Sequence, residues 1–317
     1  MAGLRTIRGP RALGIEPSVR RLAPAAALSL SPPGTEDREE RITRITSFYM
    51  RGLLGGRFEA AELGDSLIVW ERPVWDRDVT GIDCAAVRIL GGPECGPLLD
   101  LWLDRARNDG IEYAVARVPG TDEAAPSERA LGSSGFERIE SILWMHSASP
   151  EIAAGPPPAG VEVFEAGRKD SADLSGIASR SFAFDRFHSE PVFGRETADR
   201  VHAVWAAGLV ERPGVTVLAA RFGGVTAGYV ALVAEGFLPH GAGLIEMIAV
   251  EPGSRRRGVG TALLAAAAGR FHESGMSSVF LCTQEHNVSA VALYERCGFE
   301  TYGRSATWRS DLRANPR

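Results

Sequence analysis

The stretch that most restricts how this chain can fold runs from Leu244 into the helix that follows Thr261. Leu244-Ile-Glu-Met-Ile-Ala-Val250 is an apolar run of strand length, and Pro252 with Gly253 ends further pairing. A second turn at Gly258 and Gly260 opens a helix through Leu263-Leu-Ala-Ala-Ala-Ala268. Glycines here let backbone N–H groups converge where a helix N-terminus already carries partial positive charge. Arg255, Arg256 and Arg257 surround that point with permanent cations. The arrangement suits a pyrophosphate. No Gly-Lys-Ser/Thr is present, which excludes a Walker A loop. The third glycine and the ribose-binding acid of a dinucleotide fold are also missing.

The turn is followed by a strand over Ser278–Thr283 and a second helix carrying Asn287-Val-Ser-Ala-Val-Ala-Leu-Tyr294-Glu-Arg-Cys-Gly298-Phe299. Arg255-x-x-Gly258-x-Gly260 followed by Asn287, Tyr294 and Gly298-Phe299 resembles the GNAT N-acetyltransferase superfamily over roughly residues 161–308. The resemblance implies a chain of the α/β (α+β) class, with acetyl-CoA as co-substrate and no metal. It also implies that the strand before the turn splays at a bulge and pairs with the pantetheine arm, a role that falls to Ile248, Ala249 and Val250. The Ile248 N–H is the candidate donor to the thioester oxygen. The pyrophosphate falls to Arg255, Arg256, Arg257, Gly258, Val259, Gly260 and Thr261, with Asn287 as a further cofactor contact. Tyr294 takes the part of the acid that protonates the departing thiolate.

Length and composition set wider bounds. A chain of 317 residues with 44% hydrophobic and 24% charged content is ordinary globular material, long enough for about two domains. A formal net charge of −5 gives no case for nucleic-acid binding. No apolar run approaches the roughly 20 residues that span a membrane. Cys84, Cys95, Cys282 and Cys297 show no zinc spacing and read as reduced thiols of a cytoplasmic enzyme. Residues 1–40 are expected to be a disordered or targeting-like tail, because residues 1–35 hold Arg5, Arg8, Arg11, Arg20 and Arg21 against Glu16 alone.

The remaining chain divides as a degenerate GNAT-like domain over 41–148, a proline-rich linker over 149–160 and a catalytic GNAT domain over 161–313. The two domains share punctuation. Helix–Gly110–strand–helix–Gly135-Phe136-Glu137–strand matches helix–Gly275–strand–helix–Gly298-Phe299-Glu300–strand. The expectation is tandem GNAT-like domains, each a mixed, mostly antiparallel sheet flanked by helices. The first copy has Leu131 where the second has Tyr294. Its turn, Gly91-Gly-Pro-Glu-Cys-Gly-Pro97, carries an acid and no arginine, so it would repel a pyrophosphate. It reads as a scaffold. An exposed strand edge in either half could pair two copies into a homodimer.

Acetyl transfer to an amine also needs a group that removes a proton. Glu246 is the candidate, since simple strand alternation puts it on the same face as Ile248. For the acceptor, Ser179-Arg-Ser-Phe-Ala-Phe-Asp-Arg186-Phe187-His188 and Ala198-Asp-Arg-Val-His-Ala-Val-Trp205 are similar to the TDP-fucosamine acetyltransferase group. That likeness implies a nucleotide-linked amino-sugar as the small-molecule amine acceptor, faced by Arg186 and His188. Trp75-Asp76 fits that group, whereas Val79-Thr80-Gly81 departs from it. A mycothiol-synthase type, an antibiotic or peptide N-acetyltransferase, and a non-catalytic CoA-binding module are the alternatives. His202 and His272 read as ordinary helix-face residues.

Overall fold

The computed structural model describes residues 4–26, 36–148, 158–234 and 239–313. Its two compact units are Met1–Ile142 with Gly303–Arg317, and Leu143–Tyr302. The first contains α1 (Glu16–Ala26), α2 (Arg38–Leu54), β1 (Glu59–Leu63), β2 (Ser66–Glu71), α3 (Val74–Thr80), β3 (Cys84–Gly91), α4 (Cys95–Asn108), β4 (Tyr113–Pro119) and α5 (Ala125–Ser133). β5 (Glu137–Ser147) crosses into the second unit. That unit continues with β6 (Val161–Glu165), α6 (Ser171–Ser181), α7 (Arg186–Ser189), α8 (Arg195–Leu209), β7 (Val215–Phe222), β8 (Val225–Val233) and β9 (Ala242–Val250). α9 (Val259–Glu273), β10 (Ser278–Gln284) and α10 (Val288–Arg296) complete it, and β11 (Glu300–Asp311) crosses back.

Within the first unit the strand order is β1-β2-β3-β4-β11, and within the second β5-β10-β9-β8-β7-β6. In each, antiparallel strands lead to one parallel pair, β3 with β4 and β9 with β10. The strand beyond that pair is β11 in the first unit and β5 in the second. The sequence reading kept everything up to residue 148 in the first domain and split the chain at the prolines of 149–160. The structure instead passes the chain over at residues 142/143 and returns it at 302/303. The alternating pattern of a strand says which face is buried, not which sheet it joins. Most of the proline-rich segment, 149–157, lies outside the described residues.

The described part of the N-terminal segment is not a disordered tail. Gly9–Ile15 forms a 3-10 helix that runs into α1, Ile7 bridges Ala60 on β1, and Ala12, Ile15, Val19 and Ala23 are buried. Their spacing of three to four residues is a helical stripe that the arginine count hid. α2 begins where Asp37 accepts the N–H groups of Glu39 and Glu40 while the Glu40 carboxylate accepts the Asp37 N–H, a capping box. The first core gathers Trp70, Trp102, Leu98 and Leu131 around α4.

The second unit has a core on each sheet face. α9 and α10 cover one with Val259, Leu263, Leu264, Phe271 and Tyr294; α6 and α8 cover the other with Leu174, Ile177, Ala206 and Leu209. α9 lies close to β8 because Gly228 has no side chain. A Cβ there would sit 2.7 Å from the Ala249 carbonyl oxygen and 3.1 Å from Leu263.

Candidate active site

β9 and β10 pair at three positions, Ala242 with Ser278, Gly243 with Val279 and Leu244 with Phe280. β9 then runs on to Val250 without them. On its other edge it stays paired with β8 as far as Val250 opposite Gly228, and the Glu251 N–H donates to the Ala227 carbonyl at 2.9 Å. Backbone groups alternate along a strand, so those of Ile248 and Val250 point away from β8, into the gap that β10 leaves. Ala249 points its backbone toward β8 and its side chain into the α6–α8 core. The gap is the splay that the sequence led us to expect. The degenerate unit repeats the geometry: β3 and β4 pair from Cys84–Tyr113 to Val87–Ala116 and then part.

Beyond β9, Pro252–Ser254 forms a 3-10 turn and Arg256 adopts φ 60°, a left-handed conformation costly for a side-chain-bearing residue. Gly258 is the N-cap of α9 at φ 80°, with no side-chain cap. The first intrahelical donor is Ala262, whose N–H reaches the Gly258 carbonyl at 2.9 Å. The N–H groups of Val259, Gly260 and Thr261 precede it and have no partner within the helix, which is the electropositive seat a phosphate needs. Gly260 lets α9 approach α10, since a Cβ there would meet Leu293 at 3.0 Å. The three arginines do not act alike. Arg256 is exposed, and Arg257 lies over the Phe222 ring at 5.9 Å. Arg255 turns back to donate to the carbonyls of Val250 (3.2 Å) and Ser181 (3.1 Å), clamping the end of β9 to the end of α6.

Tyr294 faces the α9–α10 core at 6% exposure, with Phe299 at 6.1 Å, and burial raises its pKa well above the usual phenol range. Such a phenol stays protonated until a stronger base appears beside it. Asn287 stands at the N-cap of α10 but makes no side-chain cap; its Oδ1 accepts from Ser289 at 3.3 Å and its Nδ2 donates to Thr283 at 3.4 Å.

Glu246 is displaced from its expected face. Ala231 pairs with Met247 and Leu232 with Ile245, so Glu246 is the extra residue of a β-bulge. The bulge breaks the alternation assumed between Glu246 and Ile248. Ile248 packs toward α9 and α10, whereas the Glu246 carboxylate reaches α8 on the opposite side. Its Oε1 accepts from Trp205 Nε1 at 3.0 Å and from Arg212 at 2.9 Å, and its Oε2 accepts from the same guanidinium. Two donors fill Oε1, and Oε2 keeps one lone-pair direction for another partner.

Arg186 opens α7 with its guanidinium 4.3 Å above the Phe187 ring. His188 is held at both nitrogens, Nδ1 by Asp185 at 2.7 Å and Nε2 by Asp199 at 3.0 Å, and the Asp185 bond, ahead of Asp199, raises its pKa. The sequence reading missed Asp185, Asp199, Trp205 and Arg212 and set His202 aside. His202 is in fact 4% exposed, stacked on Phe182 at 4.5 Å. An Asp-x-x-His step followed by histidine one turn past an aspartate was the only available signal.

Residues 181–299 of the chain match the acetyltransferase (GNAT) family. Its architecture is the tandem form. A tandem GNAT protein from the clavulanic acid biosynthesis pathway superposes over 99% of both chains with a TM-score of 0.63 at 17% identity. A GCN5-related N-acetyltransferase from Sphaerobacter thermophilus does so over 97% of this chain and 96% of its own, also at 0.63, with 18% identity. Among sequence relatives, the spore coat polysaccharide biosynthesis protein SpsD of Bacillus subtilis (strain 168) is 24% identical over 77% of this chain and 83% of its own. A mycothiol acetyltransferase of Clavibacter michiganensis subsp. michiganensis (strain NCPPB 382) is 31% identical over 55% of each chain. The match thus spans about half the length of that mycothiol enzyme. No helix among the described residues is long and apolar enough to cross a membrane.

Proposed function

We propose that this protein is an acetyl-CoA-dependent N-acetyltransferase whose acceptor is the primary amine of a nucleotide-linked amino-sugar. The observation that carries the reading is the gap between β9 and β10, which ends beside the uncapped N-terminus of α9. A pantetheine arm pairs with Ile248 and Val250 while its pyrophosphate lies on the N–H groups of Val259, Gly260 and Thr261. The acceptor nitrogen attacks the thioester carbon, and the Ile248 N–H holds the oxyanion. As the carbon–sulfur bond breaks, Tyr294 gives its proton to the thiolate. The remaining lone pair of Glu246 Oε2 draws the amine proton through water, while Trp205 and Arg212 fix the carboxylate. Arg186 and His188 line the acceptor side. The likeness to a polysaccharide-biosynthesis protein supports a sugar acceptor.

The mycothiol relatives favour a second reading, an amino-glycoside of cysteine as acceptor. CoA release from acetyl-CoA, followed over nucleotide amino-sugars, amino-glycosides of cysteine and peptide N-termini, separates them. The first reading predicts the highest kcat/KM with the nucleotide sugars. A preference for the cysteine glycoside establishes the second. Binding of acetyl-CoA without turnover on any amine contradicts both.

A further inference from the structure

The cluster around α7 and α8 is more than a polar patch. Asp185 Oδ2, a nitrogen of His188 and a nitrogen of His202 all lie within 4.8 Å of one another. Each of these groups is oriented from behind. Asp185 Oδ1 accepts the Phe187 N–H at 2.9 Å, which turns Oδ2 inward. His188 Nε2 meets the Asp199 carboxylate at 3.0 Å, which leaves Nδ1 facing Asp185. His202 Nδ1 lies 3.1 Å from the Ala198 carbonyl. A carbonyl only accepts, so Nδ1 carries the hydrogen and Nε2 presents its lone pair to Asp185 Oδ2, 3.4 Å away.

Two acceptors facing each other in a buried setting repel, and a cation among the three groups, the His188 proton or a metal in its place, offsets that. The outer partners are those that orient metal-bound histidines elsewhere: a carboxylate behind one ring and a backbone carbonyl behind the other. Four ligands around a tetrahedral ion at about 2.0–2.1 Å stand about 3.4 Å apart, close to the Asp185–His202 separation. Phe182 and Phe187 pack on the His202 ring, and Phe193 packs behind Phe187.

We propose that Asp185, His188 and His202 form a site for a divalent transition-metal ion, zinc in the first instance, which ties α7 to α8. Binding displaces the Nδ1 proton of His188 to solvent and sets the metal in its place. The sequence concealed the site because its ligands follow an Asp-x2-His-x13-His spacing that matches no short motif.

The test uses the full chain, stripped with chelator and titrated with Co2+ alone. We expect one equivalent bound, visible d–d bands of a nitrogen–oxygen site without a thiolate charge-transfer band, and displacement of those bands by Zn2+. Asp185→Asn and His202→Gln should each abolish the end point, and Asp199→Asn should weaken it about tenfold; retained CoA binding shows that each variant is folded. Histidine ring 15N spectra of the unmodified chain give an independent reading: Zn2+ should shift His188 Nδ1 and His202 Nε2. No stoichiometric end point, a thiolate band, an end point unchanged in His202→Gln, or ring nitrogens that ignore zinc would each overturn the site.

Discussion

At the scale of single residues, the account rests on how few side chains touch the reacting atoms. Tyr294 is buried and proton-retaining, which suits an acid that acts only when a thiolate forms next to it. Tyr294→Phe should leave acetyl-CoA affinity intact and lower kcat by about 10²-fold or more; undiminished turnover in a stopped-assay series would remove the acid from the mechanism. Glu246→Gln keeps the shape and the Trp205 contact but removes the charge. We expect kcat/KM for the amine to fall about tenfold or more while KM for acetyl-CoA holds. Equal loss on both substrates would place Glu246 in the fold rather than the chemistry. The glycine turn was legible as a candidate because Gly258, Gly260 and the N–H groups they expose lie within a few residues of one another, whereas the contact of Arg255 with Ser181, 74 residues away, was not. Nor was the pairing of Glu246 with Trp205 and Arg212, 41 and 34 residues away.

At the scale of elements, strand periodicity placed β9 correctly and then misdirected its side chains. One inserted residue, Glu246, reverses the face of what precedes it; the resemblance implied a bulge in this strand, but nothing in Leu244–Val250 places it at Glu246. The helices came through better: the helix expected to end before Gly110 is α4, Cys95–Asn108, and that expected to end before Gly275 is α9, Val259–Glu273. The approach of α9 to β8 gives a sharp prediction. Gly228→Ala places a methyl 2.7 Å from a carbonyl oxygen that belongs to the β9 backbone and cannot rotate away. The substitution should cost about 1–3 kcal/mol. Calorimetry should show Tm lower by roughly 2–4 °C for each kcal/mol in a unit of this size. An unchanged Tm would mean that the β8 and β9 backbones can move apart to take the methyl.

At the scale of the whole molecule, two units share one plan and only the second carries the Arg255–Gly260 turn. The parted β3–β4 pair has no arginine at its turn. Instead Glu94 stands at the N-cap of α4, its carboxylate 3.1 Å from Ser66 Oγ, and Leu22 of α1 comes to 3.5 Å of a Cβ built on Gly91. A carboxylate at that helix start repels a diphosphate. The chain should therefore bind one CoA, and calorimetric titration returning two equal sites would refute the division of labour. The duplication was legible from Gly110, Gly135, Gly275 and Gly298. The handing of β5 and β11 from one unit to the other was not, because pairing partners are chosen by edges that sequence patterns do not name. The most direct measurement is amide hydrogen exchange across the chain with and without CoA. Slowed exchange at Ile248, Val250 and Gly258–Thr261, with none at Gly91–Cys95, is the predicted result; unaltered exchange along β9 and its turn at saturating CoA would contradict the cofactor assignment and the reaction built on it.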